Sequence, residues 1–258
     1  MKKNQPIAVI DSGVGGISVL KELVKIMPQE HYIYYGDSAN APYGIKSTQE
    51  VRKLTCDAAK MLFDEGAKGL VVACNTATSA AVRVLREEYP NVPIVGIEPA
   101  VKPAVECKEH PTVLVMATPM TIKEEKLHNL IARFETQATI IPLGCPGLMD
   151  FVERGVLEGA ELESYLTELL YPYREEKIDA AVLGCTHYPF VKKTIQKILG
   201  PDVKIFDGGK GTAREMKRRL EENNLLNENC EKGTIEYRNS LANSGKEVLC
   251  ERLFTQKI

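Results

Sequence analysis

Two stretches decide how this chain folds: Leu70-Val-Val-Ala-Cys74-Asn75-Thr76 and Ala181-Val-Leu-Gly-Cys185-Thr186-His187. Each opens as a short apolar run of the length of a buried strand. Each reaches a cysteine, and polar residues that suit a helix start follow it. Apolar residues then recur at helical spacing over 76–89 and 188–199, and a further apolar run follows at Pro93–Ile97 and at Val203–Phe206. Strand, helix, strand in that order makes a parallel pair joined by a crossover. A parallel sheet in turn needs helices over both faces.

Outward from these stretches the same alternation continues. Strands are predicted at 7–10, 32–35, 112–116 and 138–142, and helices at 17–27, 47–65, 121–134 and 160–173. Ser47 with Glu50 has the spacing of a capping box. Glu98 to Pro111 carries three prolines and suits a crossover between two domains. A charged helix over 212–222, an edge strand over 234–237 and a last helix over 246–254 complete the chain. The fold class is therefore α/β, with two pseudo-equivalent three-layer α/β/α domains and mainly parallel sheets. A smaller echo pairs Ile10-Asp11-Ser12-Gly13 with Phe206-Asp207-Gly208-Gly209.

Composition bounds the function. The 258 residues are 44% hydrophobic and 26% charged, enough apolar content for real cores, which excludes general disorder. Lys and Arg number 33 against 35 Asp and Glu, a formal charge of −2, so no basic excess points to a nucleic-acid partner. No apolar run approaches the ~18–20 residues of a membrane span. The apolar stretch Ile7–Ile10 is too short for a secretion signal, and a cytoplasmic, membrane-free protein is expected. The seven cysteines include no C-x-x-C pair, so a disulfide scaffold is not expected. Cys56, Cys107, Cys145, Cys230 and Cys250 read as structural.

The two echoed cysteines stand where open α/β sheets bind ligands, beyond the carboxyl ends of strands. Helix N-termini there favour anions and stabilise a thiolate. Two such domains facing each other place Cys74 and Cys185 on opposite sides of one ligand. That geometry takes a proton from one face of a carbon and returns one to the other. The plainer reading of each motif is a buried cysteine with N-cap residues. The loop Asp11-Ser12-Gly13-Val14-Gly15-Gly16 lacks the third glycine of a dinucleotide loop and the lysine of a P-loop. Asp11 suits a cation or a proton-transfer partner, and the loop reads equally as a structural turn. Pro42-Tyr43-Gly44 is a turn whose N–H groups and phenol suit a carboxylate, or whose Tyr43 covers a core edge. Glu153 by itself reads as a solvated helix-end charge. A zinc site from Cys74, Cys185 and His187 lacks a recognisable spacing for further ligands, so no metal is expected.

Taken together, the motifs resemble the glutamate racemases of the cofactor-independent aspartate/glutamate racemase superfamily. The resemblance rests on Asp11-Ser12-Gly13-Val14-Gly15-Gly16, Tyr35-Gly36-Asp37, Pro42-Tyr43-Gly44, Ala73-Cys74-Asn75-Thr76-Ala77, Thr118 with Thr121, Glu153, and Gly184-Cys185-Thr186-His187-Tyr188-Pro189. These run in the family's order over about residues 7–208. The resemblance implies a first domain of residues 1–97 plus 207–258, a second of 98–206, and an active site at their interface. It implies that Cys74 takes the α-proton of D-glutamate, assisted by Asp11. Cys185 would take that of L-glutamate, assisted by His187 and Glu153. Ser12, Pro42, Tyr43, Gly44, Asn75, Thr76, Thr118, Thr121 and Thr186 would hold the substrate beside Asp11, His187 and the two thiols. It further implies D-glutamate supply for cell-wall peptidoglycan. No cofactor is expected, because no lysine stands in a recognisable pyridoxal context, and a homodimer is expected. Many members carry Gly-Thr-x-x-Thr-x-x-Ser-x-x-Tyr in the second domain. Here Ala117, Glu124 and Leu127 replace the Gly, Ser and Tyr, while Thr118 and Thr121 remain. An aspartate racemase, a non-catalytic amino-acid binder and a metal-dependent hydrolase are the alternative readings.

Overall fold

The computed structural model describes residues 2–256. Among the described residues nine strands form two sheets: β1 (Ile7–Asp11), β2 (Tyr32–Gly36), β3 (Gly69–Val72), β4 (Ile94–Gly96), β5 (Thr112–Ala117), β6 (Thr139–Gly144), β7 (Ala180–Leu183), β8 (Lys204–Asp207) and β9 (Ile235–Asn239). Their helices are α1 (Ile17–Ile26), α2 (Thr48–Asp64), α3 (Asn75–Glu88), α4 (Val101–Val105), α5 (Pro119–Lys123), α6 (Glu125–Ala132), α7 (Leu148–Glu153), α8 (Ala160–Leu170), α9 (Lys192–Leu199), α10 (Gly209–Glu222) and α11 (Lys246–Thr255).

The chain makes two compact units. One takes the described residues through Glu98 together with Gly209–Gln256, and the other takes Pro99–Gly208. The first unit holds a sheet in the order β4-β3-β1-β2-β9, and the second a sheet in the order β6-β5-β7-β8. Every strand pairing among the described residues is parallel. The first four strands of each unit share one topology, because β4-β3-β1-β2 matches β8-β7-β5-β6 read backwards. In each, the chain goes from its first strand to one neighbour and then crosses to the other side. Cys74 follows β3 and Cys185 follows β7, which are topologically equivalent strands beside that switch point. The smaller echo is not equivalent. Asp11 ends a central strand, while Asp207 ends the edge strand β8.

The central strands are buried end to end, as a sheet covered on both faces demands: β1, β3 and β7 have no residue exposed. The first core gathers Ala8, Ile10, Leu70 and Val72 from the sheet with Val51, Leu62, Ala81 and Leu85 from α2 and α3. The second gathers Val113, Val115 and Val182 with Val101, Val105 and Leu127 from α4 and α6. Ser47 caps α2 by accepting from Glu50 N at 3.2 Å. β9 lies at the edge of the first sheet, parallel to β2. No helix among the described residues is long and apolar enough to cross a membrane.

The predicted helix over 121–134 is in fact two. Thr118 caps α5 through Thr121 N at 3.2 Å, and Glu124 then turns to extended backbone (φ −73°, ψ 132°) and starts α6. The cap holds α5 at the strand end, while α6 turns Leu127 into the core. The predicted helix over 188–199 begins as a 3-10 turn, Tyr188–Val191, and becomes α only at Lys192. Pro189 supplies no N–H and disfavours α geometry at the residue before it. The proline-bearing connection after Glu98 also holds the short helix α4, and the helix that Glu153 ends is the six-residue α7.

Candidate active site

In the first unit the expected site residues lie at and just after the carboxyl ends of β1, β2 and β3. Asp11 is fully buried, and its Oδ1 accepts from Gly13 N at 3.0 Å. The Asp11 carbonyl takes Asp37 N at 2.9 Å, which joins the β1 and β2 ends. Gly16 opens α1 so close to this floor that a Cβ there would stand 2.7 Å from Asp11 Cβ and 3.0 Å from Ala73 Cβ. Only glycine lets the loop lie so low over the strand ends.

Cys74 is buried and occupies the N-cap position of the 14-residue α3. The helix dipole there favours a thiolate over a thiol. Asn75 and buried Thr76 begin the helix, and the Asn75 Oδ1 is buried without a hydrogen-bond partner. An orphaned buried acceptor costs stability unless a ligand donor meets it. Ser12 is buried beside Asp11.

Tyr43 comes from the short turn Tyr43–Ile45, which follows a cis Ala41-Pro42 bond. Its hydroxyl donates to Asp37 Oδ2 at 2.7 Å, and Asn40 Nδ2 donates to the same carboxylate at 3.0 and 3.1 Å. Burial first, then Asp37, raise the Tyr43 pKa far above its usual range, and Cys74 and Asp11 push the same way. Cys74 and Asp11 therefore both lie within electrostatic reach of Tyr43. Asp37 is the residue that sequence reasoning left unassigned. It directly follows Gly36, the last residue of β2, which is in register with Asp11 at the end of β1, so its signal was an acid at a strand end. Pro42 and Gly44 flank Tyr43 and are partly exposed.

The second unit gathers its groups at the ends of β6, β5 and β7. Gly184 packs against β5 so tightly that a Cβ would meet Met116 O at 2.9 Å. Cys185 follows it, and its sulfur lies 3.6 Å from His187 Nδ1. His187 Nε2 in turn meets Glu153 Oε1 at 2.8 Å. Burial by itself disfavours a charged His187, but Cys185 and Glu153 outweigh it and hold the imidazole pKa well above 6.5. The sequence read Glu153 alone as a solvated charge. In the fold its side chain is only 15% exposed, at the last residue of α7. Thr118 and Thr121 meet at 3.0 Å between their hydroxyls beyond β5, and Thr186 is buried beside Cys185. Cys145 lies buried beyond β6, its thiol pKa pushed up to about 12, by burial first and then by Cys185. Among the described residues no group of three or more His, Cys, Asp and Glu side chains is arranged to hold a metal ion.

Each unit thus places one buried thiol after a topologically equivalent strand, with buried polar and titratable side chains close by. The Asp/Glu/Hydantoin racemase family model matches residues 7–216, and this chain belongs to that family of enzymes. A glutamate racemase of Clostridium acetobutylicum is 53% identical over 251 residues, 97% of this chain and 98% of its own length. The structure of glutamate racemase isoform RacE1 from Bacillus anthracis superposes with a TM-score of 0.88 at 32% identity, covering 99% of this chain and 96% of its own. The Francisella tularensis glutamate racemase, solved in complex with D-glutamate, superposes with a TM-score of 0.84 at 31% identity, again covering 99% and 96%.

Proposed function

We propose that this enzyme interconverts L-glutamate and D-glutamate without a cofactor, by two thiols acting in turn. The observation that carries the reading is the matched placement of Cys74 and Cys185 after equivalent strands, each with its own proton-handling surroundings. Glutamate as substrate is carried over from the relatives above, one of which holds D-glutamate.

In the L to D direction the Cys185 thiolate removes the α-proton, and its S–H forms as the Cα–H bond breaks. The electron pair left on carbon spreads into the α-carboxylate. The Cys74 thiol then delivers its proton to the opposite face and is left as thiolate. D-glutamate meets the enzyme in that state and runs the sequence backwards. The chemistry requires both thiols to reach one α-carbon from opposite sides. His187, held by Glu153, steadies the charge at Cys185. The α3 N-terminus and Asp11 do the corresponding work at Cys74. Ser12, Asn75, Thr76 and Thr186 offer donors to the carboxylate as negative charge builds on it. Pro42, Tyr43, Gly44, Thr118 and Thr121 hold the rest of the substrate. The product suits peptidoglycan synthesis in the cytoplasm, and we assign the enzyme that role as a homodimer that requires neither nucleic acid nor membrane.

The test is circular dichroism of metal-free protein with L-glutamate in heavy water, without pyridoxal phosphate. The optical signal should decay to zero with one deuterium entering at the α-carbon, from D-glutamate as from L. Exchange with aspartate instead would make the enzyme an aspartate racemase. No exchange with either amino acid would leave a binder.

A further inference from the structure

We infer that Tyr188 and Tyr165 are positioning residues for the Cys185 proton relay: their hydroxyls brace the turn after β6, so that α7 presents Glu153 to His187. The inference rests on the racemase reading for its kinetic part alone.

The turn is short. β6 ends at Gly144, Cys145 and Pro146 follow, Gly147 takes the left-handed conformation (φ 80°), and α7 begins at Leu148. Two consecutive carbonyls of that turn are held from different elements. Tyr165, on α8, donates to Pro146 O at 2.5 Å. Tyr188, the first residue of the 3-10 turn, donates to Cys145 O at 3.4 Å. Tyr188 is fully buried, and a buried phenol needs such a partner. The Phe151 ring of α7 also packs on Tyr165 with centroids 5.2 Å apart.

These contacts close a ring. Cys185 O accepts Tyr188 N at 3.1 Å, so the phenol is fixed to the same short loop that carries the thiol and His187. From Tyr188 the ring runs through Cys145 O and the turn into α7. It leaves α7 at Glu153 and returns through His187 to Cys185. Glu153 and His187 are 34 residues apart in sequence, and α7 is only a turn and a half long. A tilt of so short a helix moves its last carboxylate directly. Positioning errors of about 1 Å cost up to about 100-fold in rate. Among the described residues no hydrogen bond joins either phenol to the His187 ring or the Cys185 sulfur, so the hydrogen-bonded path from each runs through the turn and α7.

Tyr188→Phe and Tyr165→Phe test this, with Glu153→Gln for reference. Racemisation kcat should fall roughly 10- to 100-fold in Tyr188→Phe and less in Tyr165→Phe, with KM held within about twofold. In Tyr188→Phe, Glu153→Gln should then cost much less than it does in the wild type, because the carboxylate is already misplaced. The readout that does not need turnover is the His187 imidazole titration by NMR, assigned among the four histidines with His187→Asn. Its pKa should fall in both tyrosine variants. Unchanged titration in both, or losses that multiply independently, overturns the inference. If Tyr188→Phe does not fold, the half-buried Tyr165 decides alone. If wild-type protein racemises nothing, the function fails while the titration still decides the brace.

Discussion

Cys74 and Cys185 occupy equivalent places, but their surroundings differ. Cys74 caps a continuous 14-residue helix, with a buried carboxylate and a buried phenol close by. Cys185 is followed by a 3-10 turn, because Pro189 delays the α-helix to Lys192. A four-residue turn carries little macrodipole, and there the thiol lies beside an imidazole backed by a carboxylate. One topology thus sets a thiol in two kinds of surroundings, a helix N-terminus in one unit and an imidazole–carboxylate pair in the other. The dipole is fixed at any pH, whereas the ion pair titrates.

The comparison breaks most sharply at the sulfurs. Cys74→Ala and Cys185→Ala should each lower racemisation by about 10³-fold or more, the scale of losing a positioned acid or base. A single-alanine variant that still racemises near the wild-type rate would sink the paired-thiol reading.

Next comes the stability of the first unit, which holds a fully buried lysine–glutamate pair. Lys68 and Glu30 have fully buried side chains and pair directly. Lys68 also donates to Leu225 O at 2.9 Å and to Lys3 O, and Glu30 accepts Asn227 N at 2.7 Å. The pair ties the start of the chain and the segment before β9 to the sheet. Lys68→Met strands the carboxylate and should cost about 3–5 kcal/mol in urea unfolding, with Lys68→Met/Glu30→Leu recovering much of it.

The titrating side gives a pH signature. The pKa of His187 is raised in the folded state, so its stabilising contribution is complete below about pH 6.5 and is lost as pH rises through the folded value. Glu153→Gln should therefore destabilise most near pH 5 to 6, by on the order of 2 kcal/mol, and progressively less in alkali. A penalty that grew with pH would contradict the ion pair. Racemisation by Glu153→Gln should also lose more than that of Tyr43→Phe, whose phenol anchors to Asp37 on the dipole side. The smallest effect is Ser47→Ala, about 1 kcal/mol of stability from the lost α2 cap, with racemisation unchanged.

Much of this was legible before the fold was seen, for reasons that differ by residue. Apolar runs and helical spacing located both cysteines at strand ends, since burial on both faces of a sheet leaves a local pattern. The helix predicted over 121–134 runs through a break, because Thr118 caps a separate short helix and the extended backbone at Glu124 leaves no mark in periodicity. Asp37 stood in a quoted motif without a role, because its partner Tyr43 reaches it from a separate turn. Glu153 entered only through the resemblance.

The sequence by itself determined the alternating α/β order, the two echoed thiol motifs and the family. Those follow from local patterning, which the chain carries residue by residue. Only the tertiary structure decided that β3 and β7 are equivalent strands, that the Asp11 and Asp207 echo is not, and that Glu153 backs His187. Pairings between residues far apart in sequence depend on strand order and on where a short helix points, and neither is encoded within a single segment.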